Sequence, residues 1–197
     1  MESSKNILVI NAHPNPGSLC GSIAEQYISG AKESGYSVQS LNLIDLNFDL
    51  NFRSTYKDKE KQPLEKDLIR SQNLIKDSNH LVFIFPSWWG LMPALLKGWI
   101  DRTFMPGFAF QYKKGSPFPE QLLVGKSARI IITMDAPSWW YRWVNGAPGL
   151  RALRFATLKF CGIKPVKDTL FTEIRGSSKE KLDKILLKAK SLGKNGL

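Results

Sequence analysis

The chain has 197 residues, 43% of them hydrophobic, enough to bury one substantial core and within the roughly 100–200 residues usual for a single domain spanning 1–197. Twenty-eight Lys and Arg against seventeen Asp and Glu leave a net charge of +11, which favours anionic partners such as phosphorylated cofactors, nucleic acid or a membrane surface without choosing among them. Two cysteines, Cys20 and Cys161, exclude a disulfide framework and have no metal-ligand spacing. No apolar run reaches the roughly 18 residues of a membrane span, and "MESSKN" leads into a strand with no leader-like segment, so the expected location is cytoplasmic.

In chain order, "NILVINA" (6–12) is a continuous apolar run, as expected of a strand covered on both faces. The Pro- and Gly-rich "HPNPGS" follows, then a helix with Ile23, Ala24, Tyr27, Ile28 and Ala31 on one face and Gly35 as its stop. "YSVQSLNL" alternates as a second strand. "QPLEKDLIRSQNLIKDSN" reads as a helix opened by Pro63, and "HLVFIF" as a third, buried strand. A helix from Pro93, the strand "ARIIIT" (128–133), a helix near 149–161, the strand in "IKPVKDTLFTEI" and a helix over "KEKLDKILLKAK" (179–190) complete the series. Five strands alternating with five helices imply an α/β fold, a five-stranded parallel sheet with helices on both faces. In such sheets ligands bind beyond the carboxyl ends of the strands. The loops from Asn11, Pro86 and Met134 would share that end, whereas 45–61 reads as a polar loop and 105–126 and 134–148 are long for connections.

The first of those loops places Ser18 and Ser22 ahead of a helix, where free amides and the helix dipole favour an anion such as a phosphate. The same residues also fit a simple cap, by Ser18 or by a Ser22/Glu25 capping box. His13 would donate to a phosphate oxygen or satisfy the loop, and Cys20 would be an acidified thiol at a helix start or a small core residue. "SWWG" after the third strand offers aromatic surface and backbone amides to a planar ligand, unless Trp88 and Trp89 pack in a core or interface. "MDAPSWWYRWVNGAPG" repeats the theme after the fourth strand. Two tryptophan clusters on loops are costly unless they cover a ligand or partner, and with a phosphate-suited loop beside them flavin becomes the leading candidate. Lys97 and Asp101 form an i, i+4 pair that supports its helix.

The segment "FPSWWGLMPALLKGWIDRTFMPGFAF" resembles the signature of the flavodoxin-like NAD(P)H quinone dehydrogenases, a family that includes animal quinone reductases and bacterial drug-modulator and potassium-efflux ancillary oxidoreductases. The likeness extends over most of the chain through "HPNPGS" and "LKFCGIKPV". It implies a flavodoxin-like sheet of order 2-1-3-4-5 and a homodimer with flavin, FMN or FAD, at its interface. It further implies two-electron, ping-pong transfer from NAD(P)H to a quinone-like acceptor. His13, Ser18, Leu19 and Cys20 would surround the phosphate; Pro86, Ser87, Trp88 and Trp89 would run along the ring; Thr133, Met134 and Asp135 would approach its pyrimidine end. Phe108 would lie near the interface, and Tyr141 would be the proton donor or ring contact. The chain departs from the family at Cys20, where Asn is frequent, in "MDAP" where animal enzymes have a glycine pair, and at Ala147, where they have His. The alternative is a flavin-binding ancillary subunit of a partner such as an ion-efflux system, with "APSWWYRW" as its contact. No nucleic-acid-binding motif is present, and neither nucleic acid nor metal is expected.

Overall fold

The computed structural model describes residues 5–54 and 62–196. Its elements in chain order are β1 (Asn6–Asn11), α1 (Leu19–Glu33), β2 (Ser37–Asn42), a single tight turn at Leu43–Asp45, α2 (Lys66–Asp77), β3 (His80–Pro86) and α3 (Ala94–Thr103). A two-residue hairpin, β4 (Phe110–Gln111) and β5 (Glu120–Gln121), interrupts the series. Then come β6 (Ser127–Thr133), a wide-pitched turn at Trp140–Val144, α4 (Pro148–Arg151) with a wide-pitched continuation over Ala152–Lys159, β7 (Val166–Phe171) and α5 (Lys179–Lys194). Residues 55–61 of the expected polar loop lie outside the described residues.

The main sheet runs β2-β1-β3-β6-β7, all parallel, which is the expected 2-1-3-4-5 order once the hairpin strands are set aside. Its three central strands are buried almost throughout because helices cover both faces, and successive side chains alternate between two cores. Ile7, Val9, Val82, Ile84 and Ile131 meet α1 and α5 on one face. Leu8, Ile10, Phe83, Phe85, Ile130 and Ile132 meet Leu68, Trp99 and Leu153 on the other. Among the described residues no helix is long and apolar enough to cross a membrane.

Helices α1 and α5 touch backbone to backbone. A Cβ on Gly30 would sit 2.0 Å from the Lys190 carbonyl oxygen, and one on Gly193 would sit 2.0 Å from that of Tyr27. Glu33 at the end of α1 then pairs with Lys190 at 2.6 Å and Lys194 at 3.0 Å.

One local reading is corrected. Helix α2 begins at Lys66 rather than at Pro63, because the buried Arg102 guanidinium holds the preceding segment extended. It donates to the Pro63 carbonyl at 2.9 Å and pairs with Glu65 at 2.8 Å. Phe108 is buried against Phe104, ring centroids 6.4 Å apart.

Candidate functional site

The carboxyl ends of β1, β3 and β6 bring three loops together. The Ala12 amide donates to the Ile84 carbonyl at 2.9 Å, and the Ser87 amide donates to that of Thr133 at 2.8 Å. The His13 and Trp88 rings lie edge to face, 6.0 Å apart. The sequence-nominated residues of the first and second loops are therefore neighbours.

The first loop is a compact coil. The Asn15 amide donates to His13 Nδ1 at 2.9 Å, the Gly17 amide to Asn15 Oδ1 at 2.9 Å, and the Ser18 amide to the Asn15 carbonyl at 3.2 Å. With Nδ1 accepting, a neutral His13 carries its proton on Nε2, and burial holds its pKa below the ordinary histidine value despite the Asn15 bond. Ser18 is the N-cap of the 15-residue α1, its Oγ accepting from the Gly21 amide at 3.3 Å, so the Ser22/Glu25 alternative is not the cap used. Gly21 lets the loop close on the helix, since a Cβ there would lie 2.0 Å from the Pro16 carbonyl oxygen. Leu19 is half-buried beside it, and the first-turn amides of α1 have no intrahelical acceptors.

Cys20 follows the core reading. It is 1% exposed, its Sγ is 3.3 Å from Thr133 Oγ1, and burial pushes its thiol up to about 11 against the opposing Thr133 bond. Of the two readings of Cys20, the acidified thiol is the one the burial does not fit.

The second loop, after the buried Pro86 and half-buried Ser87, makes a two-residue reversal. Trp88 and Leu91 exchange amide-to-carbonyl bonds at 3.0 and 2.9 Å, and the two residues between them have φ of +54° at Trp89 and +75° at Gly90. Those values define a type I′ turn, whose first corner ordinarily holds Asn, Asp or Gly. Trp89 occupies it with its side chain 99% exposed.

The third loop is tied down on both sides. Thr133 is buried. Met134 is also buried, with its amide donating to the Phe171 carbonyl at 2.9 Å and its carbonyl accepting from the Ile174 amide at 3.3 Å. Asp135 is exposed and holds Arg175 through the Arg175 amide at 2.9 Å and an ion pair at 3.2 Å. Further along, Arg142 pairs with Asp168 of β7, which Arg154 also grips. Trp139, Trp140 and Trp143 are exposed on this loop.

Tyr141 differs from its expected place. It is 2% exposed; its hydroxyl accepts from the Leu150 amide at 3.0 Å and donates to the Gly90 carbonyl at 3.3 Å. Burial raises its pKa above the ordinary tyrosine value. The hydroxyl proton is directed at the Gly90 carbonyl of the second loop. Ala147, at φ +48°, is buried and donates its amide to the Tyr141 carbonyl at 2.7 Å.

A feature not nominated from the sequence is a cavity of about 690 Å³, lined by Ile100, Phe104, Phe110, Tyr112, Phe160 and Cys161 among others. Its signal was the aromatic "GFAFQY" after α3, which reads as loop because its two-residue strand is too short to show periodicity.

Residues 5–192 match the family described as having the flavodoxin-like fold. The chain belongs to that family. Relatives named as quinone dehydrogenases match most of its length. It is 26% identical over 201 residues to the ribosyldihydronicotinamide dehydrogenase [quinone] of Mus musculus, covering 90% of this chain and 86% of the mouse protein. The human protein of the same name is 29% identical over 186 residues, covering 82% and 79%. Among solved structures, Smu.1420 from Streptococcus mutans is 35% identical with a TM-score of 0.84, covering 96% of this chain and 99% of that one. An FMN-dependent NADH-azoreductase from Bacillus anthracis, solved in complex with FMN, shares the fold at 18% identity and a TM-score of 0.72, covering 97% and 98%.

Proposed function

We propose that this flavoprotein oxidoreductase holds flavin across the carboxyl ends of β1, β3 and β6 and passes two electrons from NAD(P)H to a quinone-like acceptor, donor and acceptor using one pocket in turn. The observation that carries the reading is Trp89, an indole held fully in solvent on a left-handed corner beside a loop suited to phosphate. Backbone strain of this kind persists where function requires it. The relatives named as quinone dehydrogenases support the choice of acceptor.

The donors in the site suit a flavin phosphate and ring. His13 Nε2–H, the Ser18 hydroxyl and the first-turn amides of Leu19 and Cys20 would hold the phosphate, aided by the α1 dipole. Cys20 contributes only its backbone, because its thiol is buried. Pro86, Ser87, Trp88 and Trp89 would line the ring, and Thr133, Met134 and Asp135 its pyrimidine end. Bound flavin supplies the redox chemistry; the protein supplies binding, orientation and exclusion of water. With Tyr141 engaged internally and Ala147 in place of a histidine, the proton for the acceptor comes from solvent. A second copy of the chain would complete the site as a homodimer, with the aromatic cavity beside Phe110 and Tyr112 as the apolar surface it covers.

The test is the absorption spectrum of the purified protein from about 300 to 550 nm, followed by anaerobic NADPH and then a soluble quinone. Bleaching and recovery support the reading, and the mass of the released cofactor identifies FMN or FAD. A protein that stays colourless after reconstitution with both overturns it. The ancillary-subunit reading draws on the exposed Trp139, Trp140 and Trp143, and predicts flavin binding without quinone turnover.

A further inference from the structure

We propose that Tyr141 is a positioning residue: its hydroxyl clasps the Trp88–Leu91 turn to the start of α4 and so sets the attitude of Trp89. The clasp is visible as a closed set of contacts. The Gly90 carbonyl, at the second left-handed corner of the turn, receives the Tyr141 hydroxyl at 3.3 Å and the Gly149 amide at 3.0 Å. The same hydroxyl takes the Leu150 amide at 3.0 Å, so one oxygen joins two backbones 60 positions apart in sequence, 90 and 150.

Space around the turn is closed as well. A Cβ on Gly90 would come within 2.7 Å of Asn145 Nδ2, and one on Gly149 within 2.9 Å of the Gly90 carbonyl oxygen. The third loop is itself anchored to β7 through Arg142 and Asp168. A turn with tryptophan in a left-handed corner relaxes toward other backbone forms unless its surroundings over-determine it. The buried phenol does so through the Gly90 carbonyl, beside the Gly149 amide and the Asn145 side chain.

What Trp89 faces when so held is, on the reading above, the flavin; the clasp itself stands without that reading. Two experiments separate them. In the apoprotein, hydrogen exchange of Tyr141→Phe should speed the amides of Trp88, Leu91, Gly149 and Leu150 by roughly tenfold while the amides of β1, β3 and β6 stay protected. Gly149→Ala, which presses on the same carbonyl without touching the hydroxyl, should speed the Trp88 and Leu91 amides likewise. In the holoprotein, Tyr141→Phe should weaken flavin binding by up to the about two- to tenfold that Trp89→Asn itself causes, and by much less when Trp89 is already Asn, with the pH profile of turnover unchanged.

Unchanged exchange at the four amides overturns the clasp. So does an equal loss of flavin affinity in the Trp89→Asn background, because the effect would then not pass through the turn. A fall in kcat with an altered alkaline limb and unchanged flavin affinity assigns the hydroxyl to proton transfer and overturns it too. A protein that takes up no flavin removes the flavin reading alone, and the exchange result still decides the clasp.

Discussion

Replacing Trp89 by Asn should make the protein more stable and its flavin site worse. A non-glycine residue in the left-handed region costs about 1–2 kcal/mol, and Asn is among the side chains that tolerate it best. Trp89 has φ +54° and is 99% exposed, so the substitution removes strain without removing a buried surface. The expected gain is about 1 kcal/mol, and unlike glycine, Asn adds little freedom to the unfolded chain. For a chain of this length that raises the apoprotein Tm by roughly 2–4 °C. An aromatic contact is worth about 0.5–1.5 kcal/mol, so flavin binding should weaken between about two- and tenfold. Differential scanning calorimetry of the apoprotein and fluorescence titration with flavin measure the two halves. A lower Tm refutes the strain argument. A higher Tm with unchanged flavin affinity refutes the assignment of Trp89 to the ring.

Gly21→Ala should cost about 1–3 kcal/mol and abolish tight flavin binding, since its Cβ would meet the Pro16 carbonyl at 2.0 Å and push the first loop off α1; thermal melts and flavin titration check it. At pH 8 the two thiols, pushed up to about 11 for Cys20 and about 12 for Cys161 by burial, are thiolate in at most about one molecule in a thousand. Intact mass after brief iodoacetamide treatment should show no adduct on the folded protein and two on the unfolded chain. Burial pushes the Asp168 carboxyl up, but the bonds from Arg154 and Arg142 outweigh it and hold the pKa below its ordinary value. A depressed folded pKa stabilises above the unfolded value near 3.9 and is lost as pH falls through the folded value. Asp168→Asn should therefore cost roughly 2 kcal/mol at pH 7, and denaturant midpoints of the two proteins should converge below about pH 4.

The fold was legible because three central strands covered on both faces must be continuous apolar runs, and "NILVI", "HLVFIF" and "RIIIT" are such runs. The loops at their carboxyl ends followed from the topology. The start of α2 did not, because it depends on Arg102, 37 positions from Glu65 along the chain, and no local pattern announces that pairing. The turn at Trp89 was hidden for the opposite reason: local preference places Asn or Gly there, and the structure overrides it. Tyr141 shows a third kind of limit. Its residue type suits proton chemistry, and only the positions of Gly90 and Leu150 reveal that its hydroxyl is already engaged.

The contact between α1 and α5 has a temporal consequence. The helix whose first turn seats the proposed phosphate is complete at residue 33, yet the helix that braces it ends at residue 194. Gly30 of α1 and Gly193 of α5 fit the two backbones to each other, so during synthesis α1 exists for most of the chain's length without that support. Flavin should arrive late, as the closing event of biogenesis rather than a template for it. Ribosome-stalled chains carrying all residues through α4 but lacking α5 should not retain flavin, whereas chains with α5 outside the exit tunnel should; retention by the shorter chains would place the cofactor first.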